Sequence, residues 1–273
     1  MISVITLTWN SEKYIETCIQ SLLVDAKESK IDTRIYIVDN GSKDRTLEIL
    51  DRLENKFPIV SVIKLRKNLG TSISRNIGIK RSDGKYVFII DSDTEVKPGT
   101  MRDLTKILEN GKRIGIAAPR LLYPDGTVQY SCKKIPTAKT KFLKLLPSKK
   151  LRKIAFQDEL YPPDVYDKEF SQVTDVDSCI AAAWMVDREA IEDIGLLDEK
   201  IFYAPEDVDF CLRMWLKEWR VVYAPVATVV HHTQRESYKK PAVAFRHIGG
   251  LLYYFRKHGY WLNREKIYKK IKK

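Results

Sequence analysis

No stretch of this chain is apolar for the roughly 20 residues that a membrane-spanning helix needs. The apolar opening, residues 1–9, is too short for a secretory signal. The expectation is a soluble, cytoplasmic protein. Cysteine is scarce: Cys18, Cys132, Cys179 and Cys211 lie far apart, with neither metal-ligand spacing nor a paired framework. They read as reduced thiols in core or helix, which excludes a disulfide scaffold. No Gly-x-Gly-x-x-Gly follows the first strand-like segment, and no lysine-bearing phosphate loop occurs, so an ordinary dinucleotide or P-loop enzyme is disfavoured. Internal repeats and low-complexity linkers are missing too. Acid is outnumbered: 48 Lys and Arg against 36 Asp and Glu leave a net charge of +12. That excess asks for a partner, whether nucleic acid, an anionic membrane or a phosphorylated substrate.

What is present is a regular alternation. With 44% hydrophobic residues over 273, the chain can bury the core of one large α/β domain or two small ones. Strand-like runs cover residues 2–10, 34–38 and 60–65, and each ends in a polar loop. Ser11 is placed to cap a first helix whose face is Ile15, Ile19, Leu22 and Leu23. A second helix is expected from about Asp44, and Asn68-Leu69-Gly70 leads into a third carrying Ile73, Ile77 and Ile79. This pattern predicts a doubly wound, mostly parallel α/β sheet.

The stretch Gly84-Lys85-Tyr86-Val87-Phe88-Ile89-Ile90-Asp91-Ser92-Asp93 organises the rest. Val87 to Ile90 are apolar on consecutive positions, as in a central strand buried on both faces, although so short a run also fits core helix. The Asp83-Gly84 turn signal and the β-branched content favour strand. Asp91 and Asp93 follow where the strand leaves the sheet, and a period of two points both into one crevice. Ligands of open α/β sheets bind there, and two oxygen donors suit a divalent metal carrying a diphosphate. An isolated Asp-x-Asp is otherwise an acidic turn before the helix that follows Pro98.

Other strand ends offer nucleotide contacts, each with a plainer alternative. Trp9, after Thr8, presents a flat face for a base or is simply core. Asp39 offers a carboxylate to a base edge or ribose, or makes an Asx turn with Asn40. Arg75 reaches for base or phosphates, or is a solvated helix residue. Further on, Pro205-Glu206-Asp207 opens a helix with proline at its first position, and Val208, Cys211, Leu212, Trp215 and Leu216 form its buried face. Acids in a first turn commonly complement the helix dipole, but Asp207 can face the crevice as a general base, with Glu206 as runner-up. His231 ends a strand-like run from Val226 to Val230 and supplies a nitrogen ligand, or is one of two exposed strand-end histidines.

The ordered set Thr6-Leu7-Thr8-Trp9-Asn10, Val38-Asp39-Asn40-Gly41-Ser42, Asn68-Leu69-Gly70, Arg75-Asn76-Ile77-Gly78 and Asp91-Ser92-Asp93 resembles the signatures of glycosyltransferase family 2. The likeness continues through Pro119–Gly126, Val176–Ala190, Gly195–Glu199, Glu206–Arg213 and Ala227–His232, covering most of residues 1–236. It is greatest to rhamnosyltransferase-like enzymes of surface-polysaccharide assembly. The resemblance implies a GT-A fold and inverting transfer from a nucleotide-diphospho-sugar to a saccharide or lipid-linked hydroxyl acceptor. It implies Thr8, Trp9, Asp39, Arg75 and Asp91 at the nucleotide-sugar, Asp39 on the base and Asp91 on the ribose. Asp93 and His231 would hold a divalent metal (Mn or Mg), and Asp207 would be the base. Two departures stand out: Trp9 replaces a usual tyrosine, and Ile180-Ala181-Ala182 stands where a Ser-Gly-Ala-like turn is usual.

The expected organisation is a nucleotide-sugar half at 1–118, an acceptor and catalytic half at 119–236 with a variable basic insert at 133–172, and a basic helical extension at 237–273. From Lys133 to Lys153 there are nine basic residues and no acid, and from Lys239 onward eleven Lys and Arg face only Glu265. The insert is either a segment over the acceptor side or a solvated helix on the core. The tail's Leu251, Leu252, Tyr253, Tyr254, Phe255, Tyr260 and Trp261 suit a peripheral contact with an anionic membrane at its inner face, or a core helix. Two rival classes carry less weight. A nucleotidyltransferase needs an early Gly-rich basic loop, which residues 6–13 lack. Nucleic acid is not expected as a partner, because the basic residues avoid aromatic strand positions.

Overall fold

The computed structural model describes residues 1–161, 166, 172–233 and 241–271. Lys239, Lys240, Lys272 and Lys273 of the basic tail, and nine residues of the insert, lie outside the described residues. The strands are β1 (Ile2–Thr8), β2 (Thr33–Asp39), β3 (Val60–Lys64), β4 (Tyr86–Asp91), β5 (Thr94–Val96) and β6 (Ile114–Leu122). There follow β7 (Val128–Gln129), β8 (Cys132–Lys133), β9 (Thr174–Asp175), β10 (Ser178–Cys179), β11 (Ala183–Asp187) and β12 (Arg220–His231).

The main sheet runs β3-β2-β1-β4-β11-β6-β12-β5. Its first four strands are parallel, as is β6 beside β12, whereas β11 runs antiparallel to both β4 and β6. The sheet is therefore mixed but mostly parallel, with β4 at the seam between the two halves of the chain. Two apolar clusters cover its faces. Phe88 and Ile90 join one with Ile15, Ile19, Leu22 and Leu104; Val87 and Ile89 join the other with Ile191, Phe210 and Tyr254. This is why β4 reads as an unbroken apolar run. Each of its four central side chains is withdrawn from water, at about 1.5–3 kcal/mol apiece. A charge at Ile89 would face a filled core.

Several local expectations change. Ser11 does not cap the first helix, Ile15–Ser29, which begins four residues later; its hydroxyl instead meets Ser92 at 2.8 Å, tying the first loop to the β4 end. In the Thr71–Arg81 helix the expected apolar face is only half-buried at Ile73 and Ile77, while Ser72, Ser74, Arg75 and Asn76 are buried. That polar side docks the 197–202 segment: Asn76 donates to Leu197 O at 2.9 Å and accepts from its N–H at 3.1 Å, and Ser72 donates to Ile201 O. Gly70, at φ +90°, has no space for a side chain, since a Cβ would lie 2.4 Å from Phe202 O. Pro205 is the cap of the Glu206–Leu216 helix, after a cis Ala204-Pro205 bond, and not its first residue. Leu216 is exposed, and Phe210 and Met214 take its place in the core.

The insert folds as two helices, Ala138–Leu145 and Lys149–Glu159. The C-terminal region, helices Pro241–His258 and Glu265–Lys270, packs on it: Ala138 N donates to Trp261 O, Tyr260 Oη to Pro136 O, and Arg264 pairs with Asp158. Tyr254, Phe255 and Tyr260, read as membrane-facing, are buried in the main core, while Leu252 and Trp261 remain exposed. None of the described helices is long and apolar enough to cross a membrane.

Candidate active site

Asp91 is the last residue of β4, and Asp93 follows in the tight turn to β5. β5 pairs with the end of β12, with Thr94 opposite His231. One donor atom from each of Asp91, Asp93 and His231 lies within 4.8 Å of the others. The two carboxylates do converge on one crevice. The reversal of the chain at Ser92 brings them there, and not the alternation of a continuing strand.

His231 is held from behind. Its Nδ1 lies 2.9 Å from Gln129 Oε1 on β7, which accepts the Nδ1 proton and leaves Nε2 facing Asp93 Oδ1 at 3.5 Å. Such a hydrogen bond fixes ring and tautomer for a metal-ligating histidine. Burial works to lower its pKa, but Asp93 and Asp91 outweigh it and the ring is pushed up. Burial also drives the Asp91 carboxyl up, with Arg75 pulling it down and Asp93 raising it further. Two carboxylates and an imidazole at this spacing offer oxygen and nitrogen donors that fit Mn²⁺ or Mg²⁺.

Arg75 is not the solvated helix residue of the plainer reading. It is 3% exposed and bridges the halves of the chain, donating to Asp91 Oδ1 at 2.6 Å, Glu206 Oε1 at 3.2 Å and Ala181 O at 3.1 Å. The turn Ile180-Ala181-Ala182 therefore borders the site, and Ala182 O also accepts from Asp91 N. Glu206 is buried, and burial followed by the charge of Asp207 pushes its pKa up against the pull of Arg75. Its Oε2 finds no partner, nor do Thr8 Oγ1 and Arg75 Nε among the described buried atoms. Buried polar atoms left so are costly unless a ligand or water meets them. Asp207, half-buried, accepts from Val208 N and lies near enough to Arg75 to act on it.

Asp39 spends its carboxylate locally. Oδ2 accepts from Gly41 N at 3.1 Å and Ser42 N at 3.0 Å, and Oδ1 from Ser42 Oγ, which is the Asx-type turn that the sequence offered as alternative. Trp9 is 37% exposed at the same edge, beyond Thr8. Sequence reading missed Gln129, Ser92 as the partner of Ser11, and the Arg75–Glu206 pair. Nothing local announces Gln129, since its role depends on β7 folding back on β6.

Residues 3–195 match the model of glycosyl transferase family 2. A putative teichuronic acid biosynthesis glycosyltransferase, TuaG, from Bacillus subtilis is 31% identical over 128 residues, 46% of this chain and 50% of its own; the chain thus spans about half of that relative. An N-acetylglucosaminyl-diphospho-decaprenol L-rhamnosyltransferase of Mycobacterium tuberculosis is 24% identical over 280 residues, 96% of this chain and 86% of the relative. Among solved structures, the mannosyltransferase PcManGT of Pyrobaculum calidifontis, in complex with GDP-Man and Mn²⁺, matches 99% of this chain and 67% of its own with a TM-score of 0.61 at 15% identity. At that identity the likeness speaks for the fold, which is that of GT-A transferases. The chain belongs to glycosyl transferase family 2.

Proposed function

We propose that the protein is an inverting, metal-dependent glycosyltransferase that moves a sugar from a nucleotide-diphospho-sugar to a hydroxyl acceptor in polysaccharide or glycolipid assembly. The observation that carries this reading is the meeting of Asp91, Asp93 and His231 at the mouth of the sheet, with Arg75 linking that cluster to the start of the Glu206–Leu216 helix. Asp93 and His231 would hold Mn²⁺ or Mg²⁺, which when bound neutralises the charge that develops on a leaving diphosphate. Gln129 keeps the His231 lone pair aimed at the site. Thr8, Trp9, Asp39 and Asp91 line the strand ends where base and ribose would lie, and Arg75 fixes the Asp91 carboxylate from behind.

Asp207 stands on the other side of the Arg75 bridge, one residue from Glu206. As a carboxylate it takes the proton of the acceptor hydroxyl, which attacks the sugar from the face opposite the leaving group, so one displacement inverts the anomeric centre. Glu206 is the poorer candidate because Arg75 occupies one of its oxygens. The full-length rhamnosyltransferase relative acts, by its name, on a diphospho-decaprenol acceptor, and this supports a lipid-linked acceptor here.

The test is a panel of nucleotide-sugars assayed for nucleoside diphosphate release with and without Mn²⁺. Release should require one donor class and the metal, and Asp93→Ala should abolish it. Metal-dependent turnover at the wild-type rate in Asp93→Ala, or pyrophosphate as the product, would overturn the reading.

A further inference from the structure

The 197–204 loop leads, through Pro205, straight into Glu206 and Asp207, and it is held from two sides. On the first side the Thr71–Arg81 helix takes its carbonyls. Asn76 donates to Leu197 O, Ser72 to Ile201 O at 2.6 Å, and Thr71 N to Phe202 O at 2.8 Å. On the second side the Pro241–His258 helix meets it with Arg246, Gly250, Tyr253 and Lys257. These four fall at i, i+4, i+7 and i+11, so they form one stripe along that helix.

Each member of the stripe has a partner in the loop. The Arg246 guanidinium lies 4.2 Å from the centroid of the Phe202 ring. Tyr253 Oη donates to Asp198 Oδ2 at 2.9 Å, and Lys257 Nζ donates to the same oxygen at 2.7 Å. Lys257 also donates to Asp209 at 2.7 Å, so one ammonium ties the start of the loop to the helix that follows it. Gly250 makes the closest approach. A Cβ there would lie 2.6 Å from Ala204 O, whereas one on neighbouring Gly249 would meet nothing within 4 Å. Backbone comes this near only where the side chain is absent. Ala204 itself sits at φ +36°, a region that an L residue seldom enters unless its surroundings impose it.

We propose that the stripe of Arg246, Gly250, Tyr253 and Lys257 is a positioning device. It presses the 197–204 loop onto the Thr71–Arg81 helix and so sets the place of Asp207. That Asp207 works as a base rests on the transferase reading; the two-sided grip on the loop rests on the contacts alone.

The test compares Gly250→Ala with Gly249→Ala in the full chain. Alanine at 250 forces Ala204 and the helix apart. Turnover per folded molecule, read as nucleoside diphosphate release, should fall about 10- to 100-fold, as a displaced reacting group costs. Gly249→Ala should keep wild-type turnover and melt at a higher temperature, since alanine favours helix and meets open space there. Tyr253→Phe should lose about threefold, for one hydrogen bond; it adds no atom, which keeps the test open should Gly250→Ala not fold. Affinity for Mn²⁺ alone, by calorimetry, should match wild type in all three. The Thr71 N–H, bonded to Phe202 O, should exchange with solvent faster in Gly250→Ala and not in Gly249→Ala. Wild-type turnover in both Gly250→Ala and Tyr253→Phe overturns the proposal, as does an equal loss in Gly249→Ala. Lost Mn²⁺ affinity also overturns it, because the disturbance would then reach beyond the loop. A wild-type protein that releases no nucleoside diphosphate from any donor strikes the transferase reading instead. Thr71 exchange then decides the grip by itself, and unchanged exchange in Gly250→Ala overturns it.

Discussion

Glu206 and Asp209 lie three residues apart at the start of one helix, both withdrawn from water, and their surroundings treat them in opposite ways. Asp209 is fully buried and fully paired: Arg213 at 2.9 Å, Lys257 at 2.7 Å and His258 at 2.8 Å all point at it. Burial works against its charge, but His258, Arg213 and Lys257 hold the carboxyl down at about 2. Glu206 Oε1 accepts from Arg75, which it shares with Asp91. Its second oxygen is unmet and its pKa is pushed up. The first carboxylate fastens the Pro241–His258 helix to the Glu206–Leu216 helix. The second sits in a site whose polar complement is incomplete.

Completeness of pairing thus separates two buried carboxylates within a single turn. A satisfied buried network rigidifies, whereas a half-satisfied one is tolerated where a ligand completes it. Asp207, between them, belongs with Glu206 through the Arg75 bridge. Substitution of the three acids should divide in the same way, and the largest effect should fall on turnover. Asp207→Asn should keep nucleotide-sugar binding and the melting temperature close to wild type while lowering turnover by roughly 10²–10⁴, the usual worth of general-base catalysis. Steady-state kinetics with isothermal titration separate the two readouts. Unimpaired turnover in Asp207→Asn would move the base to Glu206 and erase the distinction.

Asp209→Asn should do the reverse. It leaves Arg213, Lys257 and His258 around a neutral amide, and breaking a buried ion pair from one side costs about 3–5 kcal/mol. Denaturant unfolding should show that loss, with the transfer chemistry retained in the folded fraction. The pH dependence follows from the sign of the shift. A carboxyl held at about 2 in the fold, below its ordinary value, contributes stability that is present above about pH 4 and lost as pH falls toward 2. Asp209→Asn should therefore flatten the acid limb of the unfolding curve over that window. A variant with an unchanged acid limb would show that the pairing does not hold the helix.

The sheet and the meeting of Asp91 with Asp93 were legible in the sequence because both are local. Each strand end is announced by its polar loop, and Asp91-Ser92-Asp93 needs only the end of β4 to bring its carboxylates together. For His231 the residues alone left ligand and exposed strand-end histidine open, and its place beside Asp93 depends on β12 pairing with β5. The orientation of the Thr71–Arg81 helix was not legible. Its polar face is buried because residues 197–202 arrive there from 121 to 129 positions away, and periodicity alone expects the apolar face inward. The basic run at 133–153 read as unopposed charge because its counter-ion, Glu159, lies just beyond it and folds back. Gln129 and the partners of Asp209 are assembled by tertiary packing, so no short-range pattern marks them.

The smallest expected effect, and the one that sharpens the comparison most, is that of Glu206→Gln on stability. The folded-state pKa of Glu206 is raised, so its ionised form opposes folding once the pH exceeds the ordinary glutamate value of about 4.5. Glutamine removes that penalty, keeps an oxygen for Arg75, and leaves the Arg75–Asp91 pair at 2.6 Å in place. At pH 7 the variant should unfold within about 1 kcal/mol of wild type, on the stabilised side, because a neutral hydrogen bond replaces a strained charge. The gain should shrink as the pH is lowered toward 4, where wild-type Glu206 is protonated in both states. Thermal melts of both proteins at pH 4, 5.5 and 7 measure it. A loss comparable to that of Asp209→Asn would mean that Glu206 is a fastening carboxylate after all, and that its unmet oxygen carries no message about the site.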